Sequence, residues 1–129
     1  MTSLLKWADM RPDWNLPGGR TPGSSRASYT GVTATSLRAH YVLIGRGQTS
    51  PKHSGSADHL IAPVEGRVEF ELPDGRYVLE PFDLFVFPAG VPYRYTNIGS
   101  SDAVFLSVGS RADEWPPAPN KYFDDEPTA

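Results

Sequence analysis

The 129-residue chain contains no cysteine. Disulfides, thiolate nucleophiles and metal centres built on sulfur are therefore excluded, although this absence does not identify a compartment. No run of ~18 apolar residues occurs, as a membrane-crossing helix would need, and the N-terminal MTSLLKWADMRPDW lacks the apolar core of a secretory signal. The expectation is a cytoplasmic protein with no membrane partner. Basic charge is not in excess either. Twelve Lys and Arg against fifteen Asp and Glu leave a net charge of −3, without the concentrated basic face that nucleic acid binding requires. There is no glycine loop leading into a helix that would cradle a phosphate, and no Gly-x-Ser-x-Gly nucleophile elbow. No segment carries the period of a long amphipathic helix.

What the chain has instead is punctuation. Thirteen prolines and twelve glycines break it into short elements, and a length of 129 residues suits one domain with one core. Residues 1–28 read as an N-terminal arm: a short turn or edge strand over Met1–Met10, then a proline- and glycine-rich loop over Arg11–Ser28, either a surface arm, a lid, or a segment exchanged with a partner subunit. Trp7 and Trp14 are large apolar groups expected to find cover. Residues 29–110 read as the folded body. Residues 111–129 form a proline-rich acidic tail, expected on the surface or on a neighbouring subunit, with Trp115, Tyr122 and Phe123 as anchors.

Within the body the texture is that of strands. Leu37–Ile44 is rich in β-branched and aromatic residues, and Gly45-Arg46-Gly47 ends it as a turn. Val68, Phe70 and Leu72 alternate with Arg67, Glu69 and Glu71, the period of two of a half-buried strand. Pro73-Asp74-Gly75 then signals a hairpin to Tyr77–Leu79, and further strands are expected over Leu84–Phe87, Tyr93–Asn97 and Val104–Val108. Seven or eight short strands with turns between them specify an all-β sandwich or barrel.

Two stretches stand out. HSGSADHLIAPVEG, His53 to Gly66, holds two of the three histidines, and DLFVFPAGVPYRYTN, Asp83 to Asn97, answers it about thirty residues later. Gly47, five residues, His53, Gly55, His59, six residues and Gly66 follow one register; Phe82, Pro88-Ala89-Gly90, Tyr93 and Asn97 follow a second. In this the chain resembles the cupins, over about Leu37 to Val108. The resemblance implies a small conical β-barrel of the double-stranded β-helix, jelly-roll type. It also implies a homodimer, since cupins of this length commonly pair through their sheets.

The departures from the family pattern bear on chemistry. Where cupins place three histidines and a glutamate around a divalent iron, manganese, nickel or zinc ion, this chain keeps His53 but has Gly55, His59 and Tyr93 in the other three slots. One divalent metal held by His53, His59, Tyr93 and water is one reading; no metal is the other, with the same three residues as a general acid and base set. Tyr95 shares the face of Tyr93, and Phe70, Phe85, Phe87 and Ile61 are expected to line the pocket with it. Arg38 and His40 share one face of their strand, opposite Leu37, Ala39 and Tyr41, and alternation alone does not say which face looks inward. His40 is carried as a candidate substrate contact. Asp58, next to His59, should point to the opposite face as a solvated carboxylate. Asp83, Gly90 and Asn97 are expected to serve bends and loops.

The functional expectation is a small-molecule enzyme of the cyclase, isomerase or lyase kind, doing proton-transfer chemistry on an organic, aromatic or polyketide-like substrate. The alternatives are a ligand-binding protein without turnover and a metal-dependent dioxygenase.

Overall fold

The structure, a computed structural model, describes residues 2–14, 26–110 and 121–123. Its strands are β1 (Pro12–Asp13), β2 (Arg26–Tyr29), β3 (Val32–Thr33), β4 (Leu37–Ile44), β5 (His53–Ser54), β6 (His59–Glu65), β7 (Val68–Leu72), β8 (Gly75–Leu79), β9 (Phe85–Phe87), β10 (Arg94–Asn97), β11 (Ala103–Ser110) and β12 (Lys121–Tyr122). A single 3₁₀ turn, Trp7–Asp9, is the only helical element among the described residues. None of the described helices is long and apolar enough to cross a membrane.

All pairings are antiparallel. The larger sheet runs β1-β2-β4-β11-β6-β9, with β3 also on β4; β10-β7-β8 forms the facing sheet, and β12 pairs with β5. The architecture is the expected all-β jelly roll. Between the sheets lies one core of Val42, Ile44, Ile61, Val68, Phe70, Leu79, Phe87, Tyr93, Tyr95, Ala103 and Phe105. Phe70, 0% exposed, is its hub, with the rings of Phe85, Phe87, Tyr93, Tyr95 and Phe105 packed around it. Such a cluster supplies dispersion and area burial together, which a barrel of short strands needs in place of long buried elements.

The register shows how the interior changes from one end to the other. Across β4, β11, β6 and β9 the inward positions form rungs: Ile44–Ala103, then Val42–Phe105–Pro63, then His40–Ser107–Ile61–Phe85, then Arg38–Gly109–His59–Phe87. On the facing sheet Asn97–Val68–Leu79 is followed by Tyr95–Phe70–Tyr77. One end is therefore apolar and closed, and polar groups enter rung by rung toward the other. Gly66 makes the closed end possible: its φ is +84°, and a Cβ there would lie 2.8 Å from the Cβ of Ala103.

Several sequence expectations shift. Arg11–Ser28 is not all loop, because β1 and the start of β2 lie within it; Arg26 pairs with Ile44 and Ser28 with Val42. The proline and glycine content of the segment conceals the short alternation of Arg26-Ala27-Ser28-Tyr29. Trp7 stacks on Tyr29 at 5.0 Å and meets Tyr41 edge-on at 5.7 Å, yet it stays 57% exposed, and Trp14 is half exposed as well. Both tryptophans thus find less cover than expected. Of the tail, Lys121 and Tyr122 pair with Ser54 and His53 of their own chain, while Trp115 lies outside the described residues.

Candidate active site

His53 and Tyr93 face each other because the backbone makes them do so. Their amides and carbonyls exchange both bonds, His53 N–H to Tyr93 O at 2.9 Å and Tyr93 N–H to His53 O at 2.8 Å. Directly opposed residues in such a pair present their side chains on one face, and the two rings lie 4.3 Å apart between centroids. His59 enters from β6. Its cross-strand partner is Phe87, on which it stacks at 5.2 Å, and its ring is 5.8 Å from that of Tyr93. The structure therefore brings His53, His59 and Tyr93 together around one point, with Phe87 as a shared wall 4.6 Å from Tyr93.

Hydrogen bonds fix the tautomers. Nδ1 of His53 lies 2.8 Å from the Pro51 carbonyl. A carbonyl only accepts, so Nδ1 carries a proton and donates it to Pro51. The ring of His59 is anchored by the backbone of Ala57, and burial, followed by the Arg38 guanidinium, holds its pKa below the usual histidine range. The Ala57 bond and the Asp58 charge oppose that shift without overturning it. His40 is lowered to about 4, by burial first, then Arg38, then His59. At neutral pH His40 and His59 are neutral bases.

The remaining sequence candidates fall into place around this centre. Phe70 and Ile61 are fully buried and form its packed support, while Phe87 and Tyr95, nearly as buried, carry it. Phe85 is half-buried and, with Phe87, lines a cavity of about 430 Å³ between the β7–β8 hairpin and the turn after β9, bounded also by Leu72, Pro73, Tyr77 and Val91. His40 shares the inward face of β4 with Val42 and Ile44, on the rung below Arg38. Asp58 is exposed, and its carboxylate accepts the Ala89 N–H at 2.9 Å, tying the approach to β6 to the Pro88-Ala89-Gly90 turn. Asn97 donates to the carbonyls of Ile44 and Ser101 and accepts from Gly99 N–H, and Asp83 accepts from Glu80 N–H, the structural roles expected of them.

Two functional groups were missed by sequence reasoning. Arg26, only 5% exposed, donates to the Tyr95 hydroxyl at 3.1 Å and lies against that ring. Arg38 points inward over Gly109. Arg38 shares one face of its strand with His40, but alternation gave no sign of which face looks inward; for Arg26 the loop-like composition left no signal at all.

The family pattern implies a divalent metal, so the donor set decides whether one fits. Among the described residues no three of His, Cys, Asp and Glu converge as metal-holding groups would. One end of the imidazole cluster is bordered by a guanidinium, which disfavours a second cation there. Two imidazoles and a phenol do not make the set that grips a divalent ion firmly, and the residues are read below on their own chemistry.

An antiparallel jelly roll with histidines and tyrosines gathered toward one end of the core between its sheets defines the class of the fold. The cupin domain family model matches residues 40–109, more than half of the chain, and the chain belongs to that family. Among curated proteins no match is found. Among solved structures it is similar to the polyketide cyclase RemF from Streptomyces resistomycificus, with a TM-score of 0.76 and 17% identity over 95% of this chain and 85% of that one. It is similar also to KdgF from a Halomonas species, with a TM-score of 0.69 and 24% identity over 86% and 97% of the two chains. A third is the DMSP lyase DddQ from Ruegeria pomeroyi, with a TM-score of 0.66 and 19% identity over 86% and 61%. At these identities the likeness is one of fold.

Proposed function

We propose that the protein is a cupin enzyme that moves protons on a small organic substrate, abstracting a proton α to a carbonyl as the first step of a cyclisation, isomerisation or dehydration. The observation that carries this reading is the convergence of His53 and His59 on Tyr93, with the Nδ1 proton of His53 fixed on Pro51 and His59 kept neutral. In this reading an imidazole takes the proton as the C–H bond breaks, and the electron pair passes into the carbonyl as an enolate. The Tyr93 hydroxyl donates a hydrogen bond to the enolate oxygen. The imidazolium then returns its proton to another carbon or to a leaving hydroxyl, or the enolate carbon attacks a second carbonyl, whose π bond breaks and whose oxygen takes that proton. The aromatic walls at Phe85 and Phe87 suit a flat, apolar substrate body. Two of the structures that share the fold are named as a cyclase and a lyase, reaction types within this class.

The test is deuterium uptake by an enolisable aromatic β-diketone, benzoylacetone, in D2O, followed by NMR. The wild type should accelerate exchange, and His59→Ala should abolish the acceleration while its thermal melt and circular dichroism stay native. Exchange that survives His59→Ala would sink the assignment of the base. A probe that binds without exchanging would leave a ligand-binding protein in place of an enzyme.

A further inference from the structure

The polar end of the barrel holds a cationic group that proton transfer does not require. Arg38 lies on the inward face of β4, opposite Gly109 on β11, which in turn opposes His59 on β6. Arg38 passes over Gly109: a Cβ there would sit 3.4 Å from Arg38 Nε, 3.8 Å from its Cγ and 3.6 Å from the Ala57 Cβ, in ordinary van der Waals contact. The arginine stem thus lies across β11, directed at the strand that carries His59. On the rung beneath, His40 stands opposite Ser107, which is buried.

Among the described residues no carboxylate neutralises this group. The ion pairs from Arg67 to Glu80 and from Arg76 to Glu69 and Glu71 lie toward solvent and leave Arg38 out. Asp58, the nearest acid in sequence to His59, is exposed and bound to Ala89 N–H. Among the described residues neither a hydrogen bond nor an ion pair engages the side chain of Arg38 or His40. A guanidinium kept half-buried, without an internal counter-charge, is costly unless an anion completes it. A recess of about 250 Å³ lined by Tyr29, Gly31, Val32, Thr33, Arg38, Ala39 and His40 adjoins the pair on the β3 side of β4, where solvent ions reach it.

We propose that Arg38, with His40 beside it, is an anion subsite that binds the carboxylate of an organic acid and so holds the acid beside His59. The inference rests on the catalytic reading above and narrows it to substrates carrying a carboxylate. The fork of the guanidinium takes both carboxylate oxygens, and the neutral His40 ring donates a third hydrogen bond from its N–H. The two neutral imidazoles fit such a neighbour, because neither adds a positive charge that would need a second anion.

The experiment is calorimetric titration of the full chain with benzoate and with its uncharged analogue benzamide, alongside NMR of the histidine rings. Benzoate should bind, benzamide should bind roughly tenfold or more weakly, and benzoate should shift the His40 and His59 signals. Arg38→Gln should weaken benzoate by roughly tenfold or more, Arg38→Lys should lose less, and Arg46→Gln, on an exposed turn, should lose nothing. Equal binding of benzoate and benzamide, undiminished benzoate binding by Arg38→Gln, or no benzoate binding at millimolar concentration would each overturn the proposal. Should the glutamine variant fail to fold, the benzoate and benzamide comparison on the wild type decides. Exchange of 4-benzoylbutyrate, an enolisable ketone that carries a carboxylate, separates the two readings: benzoate binding by a wild type that accelerates exchange of neither this ketone nor benzoylacetone refutes the enzyme and keeps the subsite.

Discussion

Acidification should weaken the fold through His40, by an amount the structure specifies. Its pKa is about 4 in the folded protein, against 6.5 for an unhindered histidine. Between these values the unfolded chain binds a proton that the folded chain refuses, so stability is full above about pH 6.5, falls as pH falls, and levels off below about 4. At pH 5 the difference amounts to about 2 kcal/mol at 1.36 kcal/mol per unit, and the partial exposure of the ring reduces this to about 1–2 kcal/mol. His59, lowered in the same direction, adds to it. The assay is urea denaturation of the wild type and His40→Gln at pH 7 and pH 5. Glutamine does not titrate, so the variant should lose less stability on acidification, by about 1–2 kcal/mol, and the difference cancels the contribution of the carboxylates. Equal losses in the two proteins would refute the reasoning, and NMR should then show His40 titrating near its ordinary value.

Two further perturbations read the frame that holds the site. Phe82 has a φ of +74° and is 93% exposed, so its ring contributes little packing while its backbone occupies the left-handed region; relief of about 1–2 kcal/mol of strain, less about 0.5–1 kcal/mol of glycine entropy, predicts that Phe82→Gly raises stability by roughly 0.5–1 kcal/mol in urea denaturation. Asn97, 2% exposed, satisfies the carbonyls of Ile44 and Ser101 and the amide of Gly99; Asn97→Ala should cost about 2–3 kcal/mol by the same assay, and Asn97→Asp more, because its acceptor would face two carbonyls.

Phe82 also shows how much of the fold was legible. It occupies the position of a glycine in the family pattern, and the backbone keeps the glycine conformation even though the side chain disfavours it. The surrounding turn imposes it: Asp83 N–H bonds to Glu80 O, Phe82 N–H to Pro63 O, and Glu80 N–H to the Asp83 carboxylate. The turn's hydrogen bonds therefore set this conformation with phenylalanine at 82, and the spacing of the two registers identified the barrel. The same spacing brought His53, His59 and Tyr93 to one point. What it could not give was the orientation of β4. Its outward positions, Leu37, Ala39, Tyr41 and Leu43, are as apolar as its inward ones, so periodicity carried no sign, and Arg38 with His40 stayed undecided until pairing with β11 placed Val42 and Ile44 in the core. Arg26 was hidden for a different reason: a segment with the composition of a loop was recruited as a strand by long-range pairing with β4.

The central claim is that this pocket works through its own imidazoles and phenol. Elemental analysis of the purified, tag-free protein, with His53→Ala and His59→Ala in parallel, tests it most directly. The account predicts no stoichiometric divalent metal in any of the three proteins, together with deuterium exchange in the wild type that persists after exhaustive chelation. Near-stoichiometric metal in the wild type, lost in both variants, would contradict it.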